Sequence, residues 1–346
     1  MIELRPETSI RPGPGAAYCL APAWLDLCEN VFGYEIKKYG FYSGGTRLGG
    51  AAYAVVKSLL FGNRIVSMPF SDEAGCWFEK GVGPAGEERS RLSAAFCAVL
   101  DAEAKVSGAE YAELRGNWDF LDDKTSGFIK SENYLRFVTD TSKGYAEVRK
   151  NYDGNITANL KKADKHVAVE EVASAAALEE LYPLYLEQMR SFGSPPLPPA
   201  YFTTLYSGGL ARIFKASVGG RTAAFLSLIV HGGSFYADIN AGLKKYDSYF
   251  PKIKLFDHTL RLACESGINK YDFMRTRPGG GVFLHKQKWG GAAEPIVYRH
   301  KSFVKNPNLR MDPEQKRYLL PQFAFRHMPF FLSRAAGPLV RKGLGK

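Results

Sequence analysis

The chain has 346 residues, 45% of them hydrophobic and 23% charged, a composition that folds and excludes disordered and fibrous classes. Its length exceeds what one core usually organises, so two domains are expected. The net charge of +11 is uneven: residues 301–346 hold ten Lys/Arg against Asp312 and Glu314, which leaves the preceding 300 residues at +3 and argues against a nucleic-acid-binding body.

In chain order, MIELRPETSIRPGPG carries early acids and prolines and no apolar segment, and no run reaches 18 apolar residues. Neither a secretory signal nor a membrane span is expected, and the location read from this is cytoplasmic. A helix is predicted near Ala23 to Val31, then strands near Ile36 to Tyr42, Gly49 to Lys57 and Arg64 to Phe70. A long helix from Glu88 to Val106 and a strand from Tyr111 to Arg115 follow. The second half repeats that order: a helix from Ala175 to Ser191, strands near Ala211 to Val218, Thr222 to His231 and Ser234 to Ala241, a helix from Lys252 to Ser266, and a strand from Lys270 to Arg275. Short echoes support duplication, SGGTRLGGAAYAVV with SVGGRTAAFLSLI and SGAEYAELR with SGINKYDFMR. The fold class is therefore α/β, two copies of one mixed-sheet unit, with boundaries expected at 1–143 and 144–306 and a basic tail at 307–346.

Between the copies, Tyr145 to Lys165 reads as a helix with Ile156, Leu160 and Ala163 on one face, followed by an alternating strand, VAVEEV. Lys161 and Lys162 project elsewhere. They form either a solvated basic face or a field for an anionic substrate. In the tail, MPFFLSRAAGPLVRKGL mixes phenylalanines with cations, and Pro338 is expected to divide it into two short helices. Those aromatics either pack onto the body or touch an anionic inner-membrane leaflet.

No GxSxG, HExxH or GxxxxGK[ST] is present, and no G-x-G-x-x-G is read between a strand and a helix. The five cysteines show no ligand spacing and read as reduced packing residues; the six histidines are dispersed, so no metal site is expected. The sharpest signal is NKYDFMRTRPGGGVFLHKQKWGG, residues 269–291. Its strand ends at a sheet edge with Arg275 and Arg277. Three glycines follow, as a flexible loop or as backbone that admits a ligand, and the chain then returns Lys286, Lys288 and Trp289 to the same edge. Converging cations of this kind suit an anionic acyl donor or acceptor.

These residues resemble the FemAB/FemX aminoacyltransferases of the acetyltransferase-like (GNAT) superfamily. That family shows F-D-F-G-R-S, a glycine loop, F-K-x-x-W-G and a tyrosine-bearing strand. This chain has Tyr271-Asp272-Phe273-Met274-Arg275-Thr276, the triple glycine, His285-Lys286-Gln287-Lys288-Trp289-Gly290, and Ile296-Val297-Tyr298. Asn159 to Lys165 is similar to the family's R-N-x-R-K-A-x-K element, and KSLLFGNRIVSMPF to the first domain of its exosortase-associated members. Met274 and His285 depart from the usual glycine and phenylalanine.

The resemblance implies tandem GNAT domains and acyl or aminoacyl transfer to an amine of a cell-wall or exopolysaccharide precursor. Lys286 is the candidate for oxyanion or phosphate stabilisation, with Arg275 beside it. Asp272 either accepts a proton and orients a cation or pairs with Arg275. Substrate contacts are assigned to Lys161, Lys162, Thr276, Arg277, Tyr249 and Trp289, although the tryptophan is also a core candidate. KKYDSYFPKIK stands where an acetyl-CoA pyrophosphate loop would be, so no cofactor is firmly implied; aminoacyl-tRNA and acyl-CoA both remain open as donors, tRNA entering only in that role. Two alternatives stand beside this reading, a small-molecule N-acyltransferase and an inactive module that binds a glycan or carrier lipid.

Overall fold

The computed structural model describes residues 2–345 except 14, 60, 74, 81–82 and 306–318. The first half runs β1 (Ile2–Pro6), a 3-10 turn (Tyr18–Leu20), α1 (Pro22–Asp26) continued by a π-turn (Leu27–Val31), β2 (Glu35–Ser43), β3 (Thr46–Val56), β4 (Arg64–Val66), β5 (Cys76–Phe78), α2 (Gly86–Ser107), β6 (Tyr111–Arg115) and β7 (Ile129–Asp140). There follow α3 (Tyr145–Lys150), α4 (Gly154–Ala163), β8 (Val167–Glu171), α5 (Ala175–Phe192), α6 (Pro199–Ser207), β9 (Ala211–Val218), β10 (Arg221–His231) and β11 (Ser234–Gly242). A 3-10 turn (Lys244–Tyr249) leads to α7 (Pro251–Glu265), β12 (Lys270–Thr276), α8 (Gly281–Gln287), β13 (Ala292–Ser302), α9 (Leu319–His327) and α10 (Phe330–Leu344).

Contacts divide the chain into two units, Met1–Asn133 with Ile296–Pro313 and Leu339–Lys346, and Tyr134–Pro295 with Glu314–Pro338. These bounds differ from 143/144 and 306/307 for a topological reason. Within the first unit β13 pairs antiparallel with β6, Tyr298 facing Arg115 and Ser302 facing Tyr111. Within the second, β7 pairs antiparallel with β12, from Lys270 facing Asp140 to Thr276 facing Leu135. The strand that closes each half in sequence is thus contributed to the other half's sheet.

In the first unit the strand order is β1-β2-β3-β4-β6-β13, with β5 on β3; in the second it is β7-β12-β11-β10-β9-β8. The expected duplication is visible in the pairing. A helix crosses between two parallel neighbours in each unit, α2 between β4 and β6 and α7 between β11 and β12. β10, RTAAFLSLIVH, is buried along most of its length because both flanks are strands and both faces are covered. On α7 the buried Leu255, Phe256, Thr259, Leu260 and Ala263 form one stripe, which packs into a core with Phe214, Leu228, Phe235, Tyr271 and Trp289.

Three expectations are corrected. The stretch from Tyr145 to Lys165 is two helices, because Asp153 leaves helical backbone and its carboxylate caps Asn155 N at 2.8 Å. The strand expected to reach Phe70 stops at Val66, and Phe70 itself adopts φ +62°. Pro338 lies inside one continuous α10 and does not divide it. A mid-helix proline costs roughly 3 kcal/mol, but tertiary contacts hold this helix. In the second unit the buried Gly337 lies so close to the Pro196 ring that a Cβ would collide with it. In the first unit the buried Arg64 donates through Nη2 to the carbonyls of Gly343 at 2.7 Å and Leu344 at 2.5 Å, and Tyr34 Oη donates to the Lys342 carbonyl at 2.6 Å.

Those bonds satisfy the terminal carbonyls of α10 with a cation, the sign the helix C-terminus prefers. Deleting residues 339–346 would strand a buried guanidinium. The expected cost is about 3–5 kcal/mol, read as a lowered denaturant midpoint, and Arg64→Met in the shortened chain should recover part of it. A shortened chain as stable as the full one would refute the role given to Arg64.

Candidate active site

The parallel partners β11 and β12 pair only over Ser234–Tyr236 against Lys270–Asp272. Beyond that, β11 continues along β10 to Gly242 while β12 continues along β7, Arg275 facing Arg136 and Thr276 facing Leu135. Neighbours that part in this way open a notch at their C-terminal ends, where ligands of open α/β sheets bind. Both strands are irregular at the parting. On β11, Ser227 faces Ile239 and Leu228 faces Ala237, so Asp238 is the extra residue of a bulge, a device that re-aims a side chain. On β12 the register shifts between Asp272 and Arg275, and Met274 sits in the left-handed region at φ +61°.

The second irregularity is built by Asp272 and Lys286. Asp272 is 1% exposed; its Oδ1 accepts from Met274 N at 2.7 Å, and its Oδ2 lies 3.2 Å from Arg136 Nη1 and 3.7 Å from Lys270 Nζ. The carboxylate therefore turns the backbone and pairs with Arg136 of β7. Lys286 Nζ donates to the carbonyls of Met274 and Arg275, each at 3.0 Å. Its ammonium clamps the kink from the other side. Arg275 and Arg277 converge on one ring, their guanidinium carbons 4.9 and 5.5 Å from the Tyr134 centroid, and Arg277 Nη2 donates to Tyr134 Oη at 3.2 Å. Thr276 is buried at the end of the strand.

The triple glycine is partly a helix start: Gly279 turns at φ +79°, Gly280 caps α8 and Gly281 begins it. Trp289 just beyond α8 is 0% exposed, packed against Tyr152, Phe256 and Phe273. A ring with no free face cannot stack on a ligand, so its assignment as a substrate contact is corrected to core packing. Gly290 follows at φ +74° with the Asn151 carbonyl where a Cβ would be, which accounts for the Trp-Gly pair. His285, beside Phe256 and Trp289, has its pKa lowered to about 4, first by burial and then by Lys252, Lys286 and Lys288.

Lys161, Lys162 and Tyr249 gather elsewhere, around the start of α7. Lys162 Nζ lies 5.6 Å from the Phe250 ring centroid, Tyr249 packs edge-on to His166, and Lys161 is exposed on α4. Lys254 Nζ, 2.5 Å from Asp164 Oδ1, ties α7 to the end of α4.

Sequence reasoning missed Asp238, whose Oδ2 accepts from the buried Tyr201 Oη at 2.9 Å. The signal was a lone acid inside the apolar strand SFYADINAG. It also missed a glycine run in the sequence, Gly81-Val82-Gly83-Pro84-Ala85-Gly86, whose last residue opens α2. Next to it the first unit has a cavity of about 530 Å³ lined in part by Trp77, Gly83, Arg89, Asn117 and Asp119.

Two variants probe this construction. A left-handed residue other than glycine costs roughly 1–2 kcal/mol, and glycine's entropy returns roughly 0.5–1 kcal/mol of that. Met274→Gly should therefore hold or raise the thermal midpoint, whereas Met274→Ile should lower it; a lowered midpoint in the glycine variant would contradict the geometry. For His285, a folded pKa below the unfolded value means that the unfolded chain binds the extra proton first. Its contribution is present above about pH 6.5 and is lost as the pH falls toward about 4. His285→Phe should flatten the decline of stability over that window, and an unchanged pH profile would count against the assignment.

Residues 149–287 match the acetyltransferase (GNAT) domain family. No curated protein matches the chain. Among solved structures, FemX is similar at a TM-score of 0.60 and 14% identity, covering 80% of this chain and 90% of its own. A tandem GNAT protein from the clavulanic acid biosynthesis pathway is similar at 0.51 and 12%, covering 88% and 100%. L-PGS from Bacillus licheniformis is similar at 0.51 and 14%, covering 86% and 96%. These likenesses are of fold, and the splayed parallel pair lies within the matched domain. Residues 149–287 thus form an acetyltransferase (GNAT) domain, and the solved structures share the fold of the longer chain.

Proposed function

We propose that the protein transfers an acyl or aminoacyl group to an amine of a cell-wall or exopolysaccharide precursor, in the cytoplasm and peripheral to the inner membrane face. The observation that carries this reading is Asp238, a half-buried carboxylate on a bulge beside the notch, held by Tyr201. A held carboxylate next to an opening can accept a proton from an attacking amine. The amine nitrogen bonds to the donor carbonyl carbon, the bond from that carbon to the donor's sulfur or oxygen breaks, and the amine's proton passes to Asp238. The leaving thiolate or alkoxide then takes a proton from the protonated Asp238.

Lys286 acts in this reading by positioning: with Asp272 it fixes the end of β12, so the backbone at the notch keeps one conformation. Arg275, Arg277 and Thr276 supply the rim. Lys161, Lys162 and Lys252, with Tyr249, face the phosphate-bearing handle of the donor, a feature that acyl-CoA and aminoacyl-tRNA share. The similarity to FemX supports the aminoacyl alternative.

Labelled acyl-CoA and aminoacyl-tRNA offered separately, each with amino-sugar and muropeptide precursors, test the reading by the label transferred to the acceptor. Asp238→Asn, which keeps the bond from Tyr201, should lower turnover by about 10²–10⁴-fold with the thermal midpoint unchanged. Lys286→Met should lower turnover and midpoint together. Wild-type turnover in Asp238→Asn would remove the proton-accepting role, and donor binding with no transfer by the wild type would favour the binding module.

A further inference from the structure

The second unit carries α9 and the first turns of α10 with their large apolar side chains turned outward. On α10 the buried positions are Ser333 and Gly337, one turn apart, while Phe331 is 71% exposed and Leu332 46%. Farther along the same helix Leu339 is 74% exposed. Phe331, Ala335 and Leu339 fall at i, i+4 and i+8, a single stripe. On α9 only Phe325 is buried, whereas Leu320 is 76% exposed and Phe323 60%. Burial within the protein would have selected the opposite orientation, small residues out and large ones in.

The surroundings specify the partner. From 319 to 346 the sequence has no Asp or Glu, and it carries Arg326, Arg334, Arg341, Lys342 and Lys346. Arg326 and His327 at the end of α9 are exposed beside the apolar residues, as is Arg334 on α10. The helices are fixed from within: Arg190 Nε donates to the Arg326 carbonyl at 3.0 Å, and the guanidinium of Arg334 lies 5.4 Å from the Tyr182 centroid. Among the described residues no helix is long and apolar enough to cross a membrane. A rigid surface of exposed aromatic and aliphatic side chains ringed by cations, with no acid among them, fits the interface of an anionic bilayer.

We infer that α9 and the first turns of α10 form the docking surface by which the protein lies on an anionic lipid membrane, with Leu320, Phe323 and Phe331 entering the headgroup region. The inference rests on the peripheral placement in the reading above and not on acyl transfer. It specifies an orientation in which the second unit meets the lipid through α9 and α10.

The test uses the full chain and vesicles of phosphatidylcholine with or without phosphatidylglycerol in roughly equal amounts. Wild type should sediment with the anionic vesicles and not with the neutral ones, and binding should fall steeply between about 0.05 and 0.5 M salt. The triple variant Leu320→Ser, Phe323→Ser, Phe331→Ser should lose at least about tenfold in binding, since each serine removes most of a buried apolar side chain, while keeping its transfer of label to a soluble precursor. A second measurement covers misfolding of the triple variant. The native tryptophans, Trp24, Trp77, Trp118 and Trp289, are all buried, so Phe331→Trp adds a surface reporter. Its emission should shift blue on anionic vesicles and be quenched by brominated lipid. Undiminished binding by the folded triple variant, or no quenching of the new tryptophan in bound protein, would overturn the inference. So would lipid-free wild type that self-associates through this face and becomes monomeric in the variant.

Discussion

The second unit depends on a kink that its own sequence disfavours. Met274 holds a left-handed backbone conformation at the point where β12 leaves β11, and two charges of opposite sign keep it there. Asp272 accepts the Met274 amide hydrogen, and Lys286 draws the next two carbonyls toward its ammonium. Each is stronger than a neutral hydrogen bond because one partner is ionised. If the kink relaxed, β12 would be free to follow β11 as an ordinary parallel neighbour and the notch would close. The strain is local, and the function proposed for the site depends on it.

This constraint also gives a physical meaning to the motif that made the chain recognisable. Where the resembled motif F-D-F-G-R has glycine, the residue that turns left-handed most easily, this chain has Met274; the aspartate two residues earlier and the lysine twelve later hold the turn, and methionine is tolerated. Lys286 of the following element then serves backbone geometry as much as any charge it presents. Trp289-Gly290 has a similar explanation, since the ring fills the core beside Phe256 and the glycine lets the chain pass the Asn151 carbonyl. Motif residues that invite a catalytic reading are here, in good part, the residues that shape the opening.

Legibility in the sequence followed contact range. The hairpins, the crossing helices and the order repeated in both halves were readable because their signals lie within a few residues of one another. β7 was not, because IKSENYLRFVTD is mostly exposed or half-exposed and has no clean alternation. α6 was hidden by the prolines around Pro199, one of which merely opens the helix. Asp272 could be seen to need a cation, but Arg136, which pairs with it, lies in a strand well over a hundred residues away in the sequence. Asp238 was visible as a lone acid in an apolar strand, yet only the register of β10 against β11 reveals the bulge.

The closing strands carry the same lesson to the scale of the fold. A boundary placed between the repeats assumes that each copy completes its own sheet, and the pairing of β13 with β6 and of β7 with β12 denies it. Each half supplies a strand to the unit that the other half begins, so a sheet edge that would otherwise be open is occupied by chain from the other copy. The edge of β12 bordering the kink is one of these. Arg136, on the supplied strand, is the residue that neutralises Asp272. The charge balance that holds the notch open in the second unit is therefore completed by a strand encoded at the end of the first half, so the kink on β12 depends on chain from both copies of the repeat.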